Sequence, residues 1–121
     1  MKILIVDDED DVREVAQLSL GRIGGFDVVQ ADGGRAALAL AAEHAPDVIL
    51  LDVMMPEMDG PSTLKALRAD PATASIPIVF LTAKAMSGEL ARLRQLGAAG
   101  VITKPFNPMT LAAEVRGILG R

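Results

Sequence analysis

Residues that could take part in chemistry follow four short apolar runs of this sequence. The runs end in acidic, hydroxyl or amine side chains, and these residues are Asp7, Asp8, Asp52, Thr82 and Lys104. The carboxyl ends of parallel strands meet at one edge of a sheet, and ligands bind in the crevice at that edge. If the four runs are parallel strands, three carboxylates, a hydroxyl and an amine meet at one site.

The three carboxylates restrict what this site can bind. Carboxylates that lie close together repel and raise one another's pKa unless a cation neutralises them. Because the sequence has no Cys, the ligands are oxygen atoms and the cation should be hard. We expect Mg²⁺, with Mn²⁺ or Ca²⁺ as alternatives. For Asp7-Asp8 taken alone, a solvated turn with acids at a helix N-terminus is the simpler interpretation.

A carboxylate beside such a cation is equipped to attack a phosphorus atom. Carboxylates act as nucleophiles that form aspartyl phosphates. Phosphoryl transfer needs mainly positioning and charge neutralisation, which a cation and Lys104 could supply together. Thr82 could hold one of the surrounding oxygen atoms.

The elements that must position these residues are strands and helices in alternation. Continuous apolar runs, rather than alternating ones, are typical of parallel strands buried on both faces. The predicted strands lie at residues 3–6, 26–31 (the weakest), 48–51, 78–81 and 101–102. Repeated βα units give a parallel sheet with helices on both faces, so the predicted fold class is α/β and doubly wound.

Segments with helical spacing lie between the predicted strands and are bounded by Gly and Pro. They are residues 12–23, 35–44, a short helix opening at Gly60-Pro61, residues 90–96 before Gly97, and a last helix. For that last helix we expect Asn107 as the N-cap and Pro108 at the first position. We interpret Asp59-Gly60 as structural, and Arg92 and Arg94 as a solvated helix face.

Composition excludes several classes of protein. The chain has 121 residues, 50% of them hydrophobic, which is typical of one folded domain. Its apolar runs are too short to span a membrane, and five acids follow the first, so we expect no signal peptide and a cytoplasmic protein. A net charge of -4 and 2% aromatic residues argue against direct nucleic-acid binding.

Four stretches of the sequence carry a resemblance to a known family. They read IVDDE at residues 5–9, VILLDVMMPEMDG at 48–60, LTA at 81–83, and GA at 97–98 leading to KPF at 104–106. The chain resembles the receiver domains of two-component response regulators over its whole length. The resemblance implies one receiver domain at residues 1–121, with a flavodoxin-like five-stranded parallel sheet of order 2-1-3-4-5 and five helices. Because the chain ends soon after the last helix, we expect no second domain.

The resemblance also implies a role for each site residue. Asp52 would accept a phosphoryl group from a phosphohistidine on a sensor histidine kinase or a histidine phosphotransfer protein. Asp8, Asp52 and the backbone carbonyl of Met54 would bind Mg²⁺, and Asp7 would help through water. Lys104, in a cis peptide with Pro105, would pair with the phosphoryl oxygens. Further phosphoryl-binding positions would be Thr82, Ala83 and Val53.

The chain departs from the family at the switch. The family usually has Tyr or Phe in the fifth strand, where this chain has Val101. The resemblance implies that Thr82 moves toward the phosphoryl group and that the target binds through the fourth helix, fifth strand and fifth helix. Because Val101 lacks the reach of an aromatic side chain, we expect the response to rest on the loop at residues 82–84 and the start of the fourth helix.

Two other hypotheses remain at this stage. One is a Mg²⁺-dependent phosphohydrolase that uses Asp52 as the nucleophile on small phosphate esters. Phosphatases of the haloacid dehalogenase type normally have a second Asp two residues after the nucleophile, and this chain has Met54 there. The other is a degenerate receiver that only binds partners, which the acidic, Thr and Lys residues argue against.

Overall fold

The central sheet has five parallel strands. A computed structural model describes residues 1–83 and 86–120. The strands are β1 (Lys2–Val6), β2 (Asp27–Ala31), β3 (Val48–Asp52), β4 (Ile78–Thr82) and β5 (Gly100–Thr103). Their order is β2-β1-β3-β4-β5, and all neighbouring pairs are parallel. The flavodoxin-like topology predicted from the sequence is confirmed.

The strands alternate with helices along the chain. The helices are α1 (Asp10–Leu18), α2 (Gly34–His44), α3 (Gly60–Ala69), α4 (Ser87–Gln95) and α5 (Leu111–Leu119). A π-helical turn, Ser19–Ile23, continues α1. In the described residues, no helix is long and apolar enough to cross a lipid bilayer.

Apolar side chains fill both sides of the sheet. On one side, Ala37 and Ala41 of α2, Leu64 of α3 and Leu93 of α4 pack in a single buried cluster. On the other side, the second cluster joins α1 and α5 to the sheet. The residues of β3 and β4 are buried throughout, as expected for strands covered on both faces. The apolar runs of the sequence therefore form the middle layer of three.

The end of the first helix differs from the 3.6-residue spacing predicted for residues 12–23. The π-helical turn changes the face that meets the sheet, and the buried residues are Ala16, Ser19 and Leu20. Val15 and Ile23, which the spacing placed on the buried stripe, are exposed. The Ser19 hydroxyl donates to the backbone carbonyl of Pro108 and ties this turn to the segment before α5.

The last helix starts later than predicted. Asn107 was expected to be its N-cap, but α5 begins at Leu111 and the N-cap is Thr110. Asn107 instead closes a turn before the helix: its side-chain oxygen accepts from the Met109 amide at 2.9 Å, and its carbonyl accepts from Thr110. Asn and Asp form such local turns as readily as helix caps, so the same residue fits either position.

Strand register brings the predicted site together. Asp52, the last residue of β3, pairs with Leu81, and Thr82, the last residue of β4, pairs with Thr103. The amide of Lys104 donates to the carbonyl of Thr82 at 2.8 Å. The polar residues that follow the strands are therefore at one edge of the sheet, as predicted.

Candidate functional site

The loop after β1 holds two acids in different environments. Asp7 is fully buried, and its amide donates to the carbonyl of Ala31 at 3.2 Å. Its Oδ1 accepts from the Glu9 amide at 2.9 Å. Asp8 is exposed. One acid of the pair is thus fixed by the fold, whereas the other is accessible to solvent and to ions.

Arg13 on α1 anchors the same loop. Its Nη1 donates to the backbone carbonyl of Asp7 at 2.6 Å, and its Nη2 pairs with Asp10. Its Nε donates to Gln30 on β2 at 3.3 Å. One guanidinium therefore connects the loop, the helix and the edge strand.

The segment after β3 approaches Asp52 closely. Asp52 is 4% exposed. A Cβ atom on residue 60 would lie 2.5 Å from the carbonyl oxygen of Asp52 and 2.9 Å from the Cα of Val53, so only Gly60 fits there. Asp59 is the N-cap of α3, and its Oδ1 accepts from the Ser62 amide at 2.8 Å. The structural interpretation of Asp59-Gly60 agrees with these contacts.

Lys104 reaches across the sheet edge to the acids. Its Nζ lies 3.0 Å from Asp7 Oδ2, 3.3 Å from Asp52 Oδ1 and 3.9 Å from Glu9 Oε1. The Lys104–Pro105 peptide is cis. The ammonium is thus shared by a carboxylate that follows β1 and one that ends β3, two of the four strands whose ends were predicted to meet.

Burial and nearby charges shift the pKa values of Asp52 and Lys104. Burial raises the pKa of Asp52 from 3.8 to about 6, and the charge of Asp7 acts in the same direction. Lys104 and a backbone hydrogen bond from Met54 lower it and offset part of the effect. Burial alone would lower the pKa of the Lys104 ammonium, but its hydrogen bond to Asp7 and the charge of Asp52 outweigh this and raise it.

The acids can hold a metal ion. Asp7, Asp8 and Asp52 each offer a carboxylate oxygen, and these oxygens lie within 4.8 Å of one another. A set made only of carboxylate oxygens suits a hard divalent cation. Burial and Asp7 raise the pKa of Asp52 despite the ammonium of Lys104, so a further cation at the site would favour the charged carboxylate. The residues present therefore fit a divalent ion.

The site opens into a cleft of about 320 Å³. Asp52, Thr82 and Lys104 lie along it, together with residues of the β3–α3 loop and of α4; the other lining residues are Glu9, Val53, Met54, Ala83, Glu89 and Arg92. Thr82 is buried and Ala83 is exposed. Lys84, the third residue of the predicted response loop, lies outside the described residues.

The remaining predicted residues are placed as follows. The Val53 amide donates to the carbonyl of Leu81 at 3.1 Å, and its carbonyl accepts from Gly60 at 2.9 Å, so both groups hold the fold. Met54 has a largely exposed side chain and directs a backbone hydrogen bond to Asp52. Val101 is half-buried beside Phe80, the residue it pairs with on β4.

Three residues near the site were not predicted from the sequence. Arg13 holds the loop after β1, and Glu89 and Arg92 line the cleft from α4. Each arginine pairs with an acid three residues earlier, Asp10 or Glu89. This i,i+3 spacing is visible in the sequence, but it also occurs on solvated helix faces. Position relative to the sheet edge was the missing information.

Comparison with known proteins identifies the family. The response regulator receiver domain matches residues 3–116 of this chain. The chain belongs to the response regulator receiver domain family. A receiver domain is the phosphoacceptor signalling module of a two-component system, and relatives of this receiver domain act with histidine kinases and downstream targets.

Relatives of this receiver domain include a response regulator and several transcriptional regulatory proteins. It is 40% identical over 121 residues to the response regulator Rre1 of Synechocystis sp., covering 100% of this chain and 52% of that protein. It is 42% identical over 120 residues to the alkaline phosphatase synthesis transcriptional regulatory protein PhoP of Bacillus subtilis, covering 99% and 49%. This receiver domain thus spans about half the length of the curated relatives it matches.

Solved structures agree with the fold. The chemotaxis protein CheY4 of Vibrio cholerae superposes with a TM-score of 0.89 at 36% identity, covering 97% of each chain. A putative response regulator from Chloroflexus aurantiacus gives 0.88 at 37% identity, covering 99% of this receiver domain and 98% of that chain. At these identities the likeness extends to the whole of the βα architecture.

Proposed function

We propose that this receiver domain accepts a phosphoryl group on Asp52 from a phosphohistidine. The observation that carries the proposal is the position of Lys104 Nζ, between Asp7 and Asp52 at the inner end of a cleft that Thr82 also lines. A nucleophilic carboxylate, a cation and a hydroxyl are the groups that phosphoryl transfer to an acid requires. Residues 1–121 act here as one receiver domain.

In this step an oxygen of Asp52 forms a bond to phosphorus as the phosphorus–nitrogen bond of the phosphohistidine breaks. The electron pair of that bond returns to the imidazole, whose other nitrogen carries the proton that lets the ring leave neutral. Lys104 and the Thr82 hydroxyl hold phosphoryl oxygens, and the Met54 amide, which already reaches Asp52, lies beside them. Ala83 completes the lining.

The metal of this proposal is Mg²⁺, which Asp8, Asp52 and the backbone carbonyl of Met54 would hold, with Asp7 helping through water and with Mn²⁺ as a substitute. When bound, the ion neutralises charge on the acids and on the phosphoryl oxygens. Asp8 is exposed and Asp7 is fixed by Glu9 and Arg13, so one ligand is accessible to an arriving ion while another is already oriented.

Apart from the phosphodonor, the reaction needs no substrate other than the receiver's own Asp52. Asp52 is the acceptor, and other residues of the same domain assist the transfer. The domain therefore catalyses its own phosphorylation and, with water as the acceptor, its own dephosphorylation. The phosphohydrolase hypothesis requires a second acid two residues after the nucleophile. Met54 occupies that position, and its thioether cannot transfer a proton.

The phosphodonor is a sensor histidine kinase or histidine phosphotransfer protein that docks beside α1. An apolar groove of about 410 Å³ runs along α1 between Val12, Val15 and Phe106, and it shares Glu9, Ala83 and Lys104 with the phosphoacceptor cleft. A donor seated in the groove would therefore place its phosphohistidine at the cleft.

The downstream target binds through α4, β5 and α5. The protein acts in the cytoplasm without contacting nucleic acid or membrane.

Transfer from a radiolabelled phosphorylated histidine kinase tests this function. We expect label on the wild-type domain in Mg²⁺ and none in EDTA or in Asp52→Asn. Val15→Lys should slow transfer from the kinase but leave labelling by acetyl phosphate unchanged, because the small donor does not use the groove. Label on Asp52→Asn would contradict the proposed acceptor, and equal kinase transfer to Val15→Lys would contradict the docking site alone.

A further inference from the structure

Glu89 and Arg92 form an ion pair that lines the phosphoacceptor cleft. Both lie on α4, three residues apart, and both line the cleft that holds Asp52 and Lys104. Arg92 Nη2 donates to Glu89 Oε1 at 3.0 Å, and Arg92 Nε donates to Glu89 Oε2 at 3.3 Å. This two-point geometry holds the guanidinium against its own helix.

The two partners differ in exposure. The Arg92 side chain is 52% exposed, whereas that of Glu89 is 20% exposed. Arg92 also lines an adjoining groove beside Asp59 and Lys65. Its side chain therefore lies at the border of two clefts and is more accessible to solvent than that of Glu89.

Charge in the cleft changes sharply when Asp52 is phosphorylated. Among the described residues that line it, Lys104 and Arg92 are the cations, and Lys104 is already shared by Asp7 and Asp52. A phosphoryl group brings three acceptor oxygens and about -1.5 to -2 of charge. It would enter the cleft that Glu89 and Arg92 also line, so its charge repels the carboxylate of Glu89 and attracts the guanidinium of Arg92.

We propose that Arg92 is a phosphoryl-binding residue of this domain and that Glu89 competes with the phosphoryl group for it. The inference rests on the proposed phosphorylation of Asp52. A phosphoryl group offers Arg92 more charge than one carboxylate does, and a guanidinium binds phosphate oxygens through paired N–H groups. Exchange of Arg92 from Glu89 to the phosphoryl group also shifts a contact on α4, which gives this domain a link to that helix that does not use Val101.

Titration with beryllofluoride, which mimics the phosphoryl group on an aspartate, tests this role. Melting followed by circular dichroism at saturating Mg²⁺ gives the beryllofluoride concentration that produces half of the stabilisation. We expect Arg92→Gln to raise this concentration roughly threefold to tenfold and Arg92→Lys to restore part of the loss. Glu89→Gln should lower it. The matched control is Arg94→Gln, which removes an exposed charge from α4 away from the cleft.

The double variant shows whether Glu89 acts through Arg92. If it does, Glu89→Gln improves binding less in the Arg92→Gln background than in wild type. Equal midpoints for Arg92→Gln and Arg94→Gln, in a wild-type domain that binds beryllofluoride and is labelled on Asp52, would overturn the inference alone. A wild-type domain that neither binds beryllofluoride nor takes label would instead overturn the proposed function.

Discussion

Lys104 Nζ lies 3.3 Å from Oδ1 of Asp52, although Asp52 ends β3 and Lys104 follows β5, with β4 between the two strands. The backbone bond from the Lys104 amide to Thr82 fixes the base of the lysine, and its side chain extends past β4 to β3. An ammonium held this way faces the oxygen on which a phosphoryl group would form. The ion pair therefore prepares the site for phosphoryl transfer.

The raised pKa of Asp52 predicts how stability depends on pH in the absence of metal. The folded domain holds the Asp52 proton up to pH of about 6, whereas the value for an unperturbed carboxyl is 3.8. The contribution of Asp52 to the free energy of unfolding is therefore most favourable below pH 3.8 and is lost as the pH rises through 6. The difference corresponds to at most about 3 kcal/mol of unfolding free energy.

Denaturant unfolding in EDTA, from pH 4 to 7.5, measures this effect. We expect Asp52→Asn to become progressively more stable than wild type as the pH rises, because Asn has no charge to bury. Saturating Mg²⁺ should reduce the difference. If the difference in unfolding free energy between the two proteins is constant with pH, or decreases as the pH rises, the pKa of Asp52 is not raised in the folded domain.

Asp8 should determine the response of the fold to Mg²⁺. An ion that binds the native state alone raises the melting temperature, and Asp8 is the exposed member of the acidic cluster. Above the Kd of wild type, each 10-fold increase in Mg²⁺ adds about 1.4 kcal/mol to its free energy of unfolding. We predict a smaller gain for Asp8→Ala at the same concentrations, because its Kd is higher. Circular dichroism melting is the measurement, since the chain has no Trp.

Asp11→Ala is the matched control for Asp8→Ala. It removes the same charge from the exposed start of α1, but Asp11 is not part of the cluster. Its Mg²⁺-dependent shift should equal that of wild type. Equal shifts in Asp8→Ala and wild type would remove Asp8 from the metal site.

Gly60 should be intolerant of a side chain. A Cβ at this position meets the backbone of Asp52 and Val53, which cannot turn aside as a flexible side chain could. We expect Gly60→Ala to lower the free energy of unfolding by about 1–3 kcal/mol, and to slow labelling of Asp52 by displacing it. Gly88→Ala, on α4 with nothing within 4 Å of the added Cβ, should be neutral or slightly stabilising. Equal losses in the two variants would refute the steric argument.

Much of the fold and site could be predicted from the sequence because the strands are strongly patterned. Uninterrupted apolar runs identify buried parallel strands, and the residue after each run is then at the carboxyl edge. This logic places Asp7, Asp52, Thr82 and Lys104 together before any coordinates are known. It depends only on strand direction, and the strands are the most regular part of this chain.

Other features depended on packing that the sequence does not display. Helical spacing placed Ile23 on the buried stripe, but the π-helical turn that ends at Ile23 and the contact of Ser19 with Pro108 set a different face there. Asn107 suits a turn as well as a helix cap. Arg92 could not be separated from Arg94 by spacing alone, since only its position over the cleft distinguishes it.

The response to phosphorylation should be concentrated at the start of α4. A phosphoryl group shifts a population only by interacting differently with its two states. Thr82 and Arg92 line the cleft, whereas Val101 is too short to exchange between buried and exposed positions. We predict that beryllofluoride changes amide hydrogen exchange at residues 86–90 and has little effect at residues 110–119. Equal or larger changes in α5 would contradict this prediction.

Intact-mass analysis after incubation with acetyl phosphate and Mg²⁺ tests the central claim most directly. The account predicts one added phosphoryl group on the wild-type domain and on Asp11→Asn, an exposed acid near the cleft, and none on Asp52→Asn. EDTA should prevent labelling as completely as the substitution does, because uncompensated carboxylates repel an incoming phosphate. Labelling of Asp52→Asn to the same extent as wild type would contradict the assignment of Asp52 as the phosphoacceptor.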